Sequence, residues 1–235
     1  MRRLDELARY SDAPDHLTRL YLTPAHKAAA AQIQAWMEET GLSTRIDAVG
    51  NVVGRYKGTD SSAPALLIGS HIDTVRNAGK YDGALGVIVA IEAIAELRAQ
   101  QERMPFPIEV IAFGDEEGVR FPVTLTGSKA VSGTLNAATL EARDADGVSI
   151  REALAAFGHP ADVQSVARKS KNIRAYLEVH IEQGPVLEAK NLPLGVVTAI
   201  SGASRLKVSV SGTAGHAGTV PMNLRRAAEA EFFVD

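Results

Sequence analysis

His71 and Asp73 stand one residue apart, just beyond the apolar run Ala65-Leu-Leu-Ile-Gly69. A strand-end imidazole binds metal best when its second nitrogen is held by a carboxylate or a carbonyl, which fixes the tautomer and raises basicity. Asp73 is placed for that task. Nine residues further on, Asp82-Gly83 closes a glycine-containing loop directly before a hydrophobic segment. An aspartate there can bridge two cations, one per oxygen, or it can simply cap a helix. Asp115-Glu116-Glu117 follows a second apolar run. Three adjacent carboxylates repel one another, and their burial is costly unless cations or protons neutralise them. In extended backbone adjacent side chains point to opposite sides, so Glu116 and Glu117 are expected to take different tasks, one on a metal and one on a water. His180 ends a third run, Ala175-Tyr-Leu-Glu-Val. Alone it reads as an ordinary core or surface histidine; its coincidence with His71, Asp82 and Glu117 at the ends of elements of one sheet marks it as a ligand. His16, His26 and His159 lack any neighbouring carboxylate array and read as surface residues.

These groups need elements to position them. The pattern predicts a helix over 24–40, with Thr23 as N-cap, Pro24 in the first helical position and Gly41 just past the end. Residues 42–49 and 52–57 read as two short strands joined through Gly50-Asn51 as a hairpin. A strand over 65–69, a mostly apolar helix over 85–100 and a strand over 108–114 make a βαβ unit. The fold class that follows is α/β, a mostly parallel mixed sheet flanked by helices. The polar stretch 136–171 carries a helix over 150–157, and further buried strands are expected over 175–180 and 194–200. In open α/β sheets ligands sit at the carboxyl ends of strands, so the three polar strand ends should converge on one crevice. From 204 the pattern changes, and 205–211 alternates strictly, as a strand with one wet face does. Two domains are therefore expected, over 1–203 and 204–235.

Composition narrows the chemistry. A formal charge of −3 and a pI near 6.1 leave no electrostatic footprint for nucleic acid or anionic membrane. The absence of cysteine excludes disulfides and thiolate ligands, so any metal falls to His, Asp and Glu. No apolar stretch approaches the ~18 residues that a spanning helix needs. A cytoplasmic location is the expectation.

Five runs together carry a resemblance: GSHIDTVRNAGKYDGALG, FGDEEGVRFP, LTGSKAVSG, LEVHIEQGPVLE and SGTAGHAGTVPMNLRR. In this order they resemble the allantoate amidohydrolase and N-carbamoyl-L-amino-acid hydrolase branch of the aminoacylase-type metallopeptidases. The resemblance implies a zinc-aminopeptidase-like catalytic domain followed by the start of an α+β lid domain. It implies two divalent ions, zinc or manganese, with His71 and His180 on one, Glu117 on the other and Asp82 bridging. Asp73 would orient His71, Glu116 would be the general base, and Gln183 would contact substrate. His216 would be a lid histidine that polarises the scissile carbonyl across a homodimer interface. The family takes a last ligand from a histidine beyond the lid, so this sequence is expected to stop inside the lid with its second metal site incomplete.

The implied reaction is hydrolysis of a ureido C–N bond in a small ureido carboxylate, foremost allantoate, giving ureidoglycine, ammonia and carbon dioxide. An N-carbamoyl-L-amino-acid or β-ureidopropionate hydrolase is the alternative within the class. The alternative from another class is a catalytically inactive, metal-binding or dimerising remnant.

Overall fold

The computed structural model describes residues 1–158, 162–200, 202 and 211–226. A short helix, α1 (Arg2–Leu7), precedes α2 (Pro24–Glu39), which starts where proline is tolerated and is capped by Thr23, whose hydroxyl accepts the His26 amide. Gly41 then takes φ +87°, the left-handed turn that ends the helix. β1 (Ser43–Ile46) and β2 (Val52–Tyr56) form the expected antiparallel hairpin. β3 (Ala65–His71), α3 (Ala84–Ala99) and β4 (Ile108–Phe113) form the βαβ unit, with β3 and β4 parallel neighbours. A short α4 (Thr126–Ser132) comes next. α5 (Ile150–Phe157) is held by a reciprocal Ser149/Glu152 capping box and stopped at Gly158, φ +103°. β5 (Ile173–Leu177) joins β3 in parallel.

The sheet order is β1-β2-β4-β3-β5. β2 alone runs against the others, since it is antiparallel to both β1 and β4. The sheet is thus mixed and mostly parallel, as its sequence implies. Buried hydrophobic side chains extend from Leu4 to Val166 and include Ile33, Ile91, Ile94 and Ile111. α2 presents alanine, isoleucine, tryptophan and methionine to this core, and α3 alanine, valine and isoleucine. No described helix is long and apolar enough to cross a membrane.

Two expectations about strands are corrected. The third run forms a strand over Ile173–Leu177, earlier than 175–180, and it is not buried: Tyr176 is 46% and Leu177 51% exposed. β5 lies at the sheet edge, and apolar composition does not distinguish an edge strand from a central one. Residues 194–200 form no strand, and Leu194, Val196, Val197 and Ile200 are exposed. They have no partner strand among the described residues, and a ladder requires one.

The chain divides into two compact units, Met1–Gln183 and Gly184–Asp235. The second contains a one-turn helix, α6 (Val186–Ala189). The strand expected over 205–211 lies, apart from Ser211, outside the described residues, as do the 203/204 boundary and His159.

Candidate metal centre

The parallel register assembles the site. Ile68 pairs with Leu177, so three residues further along both strands His71 comes opposite His180. His71 also pairs with Phe113, so Asp73 comes opposite Asp115, beside the two glutamates. The carboxyl ends of β3, β4 and β5 thereby share one end of the sheet, the convergence expected for a ligand crevice.

His71 is 3% exposed, and its Nδ1 lies 2.9 Å from the Asp73 backbone carbonyl. His180 Nδ1 lies 2.9 Å from the Ile181 carbonyl. A carbonyl only accepts, so both Nδ1 atoms donate and each Nε2 is the ring atom left to face a ligand. The two Nε2 atoms face each other 3.4 Å apart. Asp82 Oδ1 stands 3.2 Å from His180 Nε2 and 3.6 Å from His71 Nε2, buried and without a hydrogen bond. Two imidazole nitrogens and a buried carboxylate oxygen aimed at one point are costly together unless a proton or a cation sits between them. The donor set fits a divalent ion. The candidate ligand atoms of His71, Asp82 and His180 all lie within 4.8 Å of one another, and so do those of His71, Glu116 and Glu117.

Asp82 does not cap α3: the N-cap is Gly83 at φ +66°, with no side-chain cap. Asp82 Oδ2 instead accepts a 2.9 Å hydrogen bond from Gln183 Nε2. A Cβ on Gly83 would meet the His71 ring at 2.5 Å, so only glycine lets the loop pass this close to the imidazole.

Glu116 and Glu117 follow Asp115, which is fully buried and left-handed at φ +61°. The segment is a turn rather than extended backbone, which corrects the expectation that the two glutamates point apart. Both face His71. The Glu116 and Glu117 amides donate to the two oxygens of Asp73 at 3.0 and 3.1 Å. Asp73 therefore holds His71 with its carbonyl and the glutamate turn with its carboxylate. A second clamp is Asn51, whose side chain accepts the Gly114 amide at 3.1 Å and donates to the Gly127 carbonyl at 3.2 Å.

The electrostatics are those of an acidic cluster short of positive charge. Burial pulls the His71 imidazole down, but Asp82, Asp73 and Glu116 outweigh it and raise His71 to about 9. Glu117 is pushed up to about 7, by burial first and by Glu116, Asp82 and Asp73 besides. Burial also raises Glu116. Asp115, buried against Thr126, rises to about 8 and keeps its own proton. Protons here do what cations would otherwise do.

His71, Asp73, Asp82, Glu116, Glu117, His180 and Gln183 all lie in the first unit and come together as described. His216 belongs to the second unit, exposed, with its Nδ1 accepting the Gly218 amide at 3.1 Å. Ser70 and Glu178 were not expected at the site. Ser70 Oγ donates to Glu178 Oε1 at 2.8 Å, and Tyr176 donates to Oε2 at 2.7 Å. Glu178 interrupting the apolar Ala175–Val179 run was the available signal. Of the histidines read as surface residues, His16 is exposed, but His26 is 0% exposed. It packs between Tyr21 and Phe157, and its Nδ1 accepts the Leu22 amide at 3.2 Å.

The sequence profile of peptidase family M20/M25/M40 matches residues 67–233. The chain belongs to this family. It is 48% identical over 229 residues to an allantoate deiminase from Arabidopsis thaliana, an alignment covering 95% of this chain and 44% of that protein. It is 44% identical over 227 residues to an N-carbamoyl-L-amino-acid amidohydrolase from Paenarthrobacter aurescens, covering 96% and 55%. Among solved structures, a hydantoinase/carbamoylase family amidase from Burkholderia ambifaria superposes with a TM-score of 0.78 at 33% identity, covering 95% of this chain and 55% of that one. The chain spans about half the length of the curated relatives it matches. The βαβ unit and the paired glutamates lie within Met1–Gln183.

Proposed function

We propose that this M20 chain carries the metal-binding and proton-transfer residues of an amidohydrolase that cleaves a ureido C–N bond, with allantoate as substrate. The observation that carries the reading is the convergence of the His71 and His180 Nε2 atoms on the buried Asp82 oxygen, beside Glu116 and Glu117. Similarity to an allantoate deiminase at 48% identity supports the substrate. In this reading His71, Asp82 and His180 hold one divalent ion, and Glu117 with Asp82 holds a second, zinc or manganese in each case. Bound there, such ions acidify a water and polarise the ureido carbonyl. Glu116, whose carboxyl burial raises above the usual carboxylate range, takes the proton of the attacking water and returns it to the leaving nitrogen. Asp73 keeps Glu116 in reach through its amide. Gln183 contacts substrate, and His216 stabilises the oxyanion from the partner subunit of a cytoplasmic homodimer.

A second reading has its own observation. A cavity of about 360 Å³ opens beside His71 and Glu116, lined by Leu67, Phe113, Leu125 and Ile173. Such walls suit the apolar side chain of an N-carbamoyl-L-amino acid better than the second ureido group of allantoate. Ammonia release from allantoate and amino-acid release from N-carbamoyl-leucine, each assayed with added zinc or manganese, separate the two. Glu116→Gln should lower turnover about 100-fold or more while metal binding persists, because an amide cannot accept the proton. Near-native turnover in Glu116→Gln, compared in a version of the protein extended to the full length of its relatives, would overturn the assignment.

A further inference from the structure

Arg19 lies outside every motif quoted above and is one of the largest fully buried side chains, 1% exposed. Its Nε donates to the Ile72 carbonyl at 2.7 Å, midway between His71 and Asp73. Its Nη1 donates to the carbonyls of Leu7 at 2.9 Å and Tyr10 at 3.0 Å. The backbone repeats the grip: the Arg19 amide donates to Thr74 Oγ1 at 2.8 Å, and the Thr74 amide donates back to the Arg19 carbonyl at 3.0 Å. Among the described residues Arg19 makes no direct ion pair. Asp73 is the carboxylate that most favours its charge.

A buried guanidinium without a touching carboxylate is costly, and an apolar side chain of similar volume would fill the space without that cost. What the guanidinium adds is directional: a rigid fork of donors ending on backbone carbonyls. One of those carbonyls belongs to the residue between His71 and Asp73. Asp73 in turn receives the Glu116 and Glu117 amides, so a shift at Ile72 propagates to both halves of the cluster. We propose that Arg19 is a positioning residue for the metal centre, locking the His71-Ile72-Asp73 turn and, through Asp73, the Glu116-Glu117 turn into the arrangement that receives cations. This rests on the reading of the cluster as a metal site.

The competing role is structural only, an anchor for the end of α1 through Leu7 and Tyr10. Three variants separate the two: Arg19→Met, Arg19→Lys and, as control, Leu4→Ala. Leu4 is 2% exposed on α1, which packs on α3, and its truncation loosens α1 without removing a polar contact of the turn. Amide hydrogen exchange at Glu116 and Glu117 is read in the metal-free protein, and cobalt(II) affinity is read from the visible spectrum. Arg19→Met should speed exchange at both amides about tenfold or more and weaken cobalt about tenfold or more, while Leu4→Ala lowers the melting temperature and moves neither. Arg19→Lys, which keeps the charge and loses the fork, should shift both in the same direction by less, and it decides the matter should Arg19→Met not fold. Unchanged exchange in the arginine variants, or equal acceleration in Leu4→Ala, overturns the proposal. A native protein that binds no cobalt refutes the metal reading alone, since the exchange comparison still tests the role of Arg19.

Discussion

At the scale of single residues, the site is a contest between protons and cations for the same acidic cluster. His71 rises to about 9 and Glu117 to about 7, so both hold a proton below pH 7 that a metal ion must displace. Zinc binding at pH 6.5 should therefore release about two protons, falling to about one at pH 8, and apparent affinity should climb between pH 6 and 9. Calorimetry in buffers of different ionisation enthalpy gives the count directly, and proton-independent binding would contradict it. His26 makes the opposite case. Burial, with Arg19 and Arg120 nearby, lowers it from 6.5 to about 3, so the folded protein keeps it neutral while the unfolded chain takes up a proton. Its contribution to stability is complete above pH 6.5 and is lost as pH falls toward 3, by about 1.4 kcal/mol per unit. His26→Gln keeps an acceptor for the Leu22 amide and cannot titrate. Its urea-unfolding stability should fall less steeply than the native protein's between pH 6 and 4, and equal slopes would clear His26. The sequence placed His71, Asp82, Glu116, Glu117 and His180 because metal ligands must be ionisable and lie at strand ends. It misplaced His26, because the aromatic pocket of Tyr21 and Phe157 is assembled by residues over a hundred positions apart in sequence.

At the scale of elements, close approach between backbone segments sets the geometry of the ligands. α3 packs its first turn against the segment after β5, and a Cβ on Gly86 would stand 2.2 Å from the Val179 carbonyl. Val179 adjoins His180. Gly86→Ala should therefore displace the His180 strand end, costing about 1–3 kcal/mol by overpacking and weakening the metal site as well. A loss of stability with unchanged zinc affinity would show that the strand end absorbs the displacement elsewhere. Elements with a local signature were legible: the Thr23-Pro24 helix start, the Gly50-Asn51 hairpin and the βαβ unit. Those that depend on distant partners were not. β5 has the composition of an interior strand and lies at an edge; 194–200 has the same composition and pairs with nothing among the described residues. The glutamate turn misled for a related reason. Extended geometry was the natural reading past β4, whereas Asp115 turns left-handed so that two successive amides meet Asp73, whose carboxylate lies 43 and 44 positions back in the sequence.

At the scale of the whole molecule, the distribution of buried side chains indicates where stability resides. Every described buried hydrophobic residue lies between Leu4 and Val166, within the unit Met1–Gln183. The described part of Gly184–Asp235 instead exposes Leu194 at 80%, Val196 at 92% and Ile200 at 90%. Exposed apolar side chains in such a run drive association in solution. A fragment comprising Met1–Gln183 keeps the five strands, the core, Arg19, Asn51 and all seven clustered site residues from His71 to Gln183. It should unfold cooperatively with a stability within about 1 kcal/mol of the full chain, since two-state behaviour follows the packed core. It should also bind zinc as tightly, and it should stay monomeric at concentrations where the longer chain associates. Chemical denaturation, calorimetric titration and sedimentation of the two chains side by side provide the comparison. A fragment that fails to fold, or that binds zinc about tenfold more weakly, would mean that residues after Gln183 contribute to the core or to the ligand set, and that the first unit is not the autonomous carrier of the site.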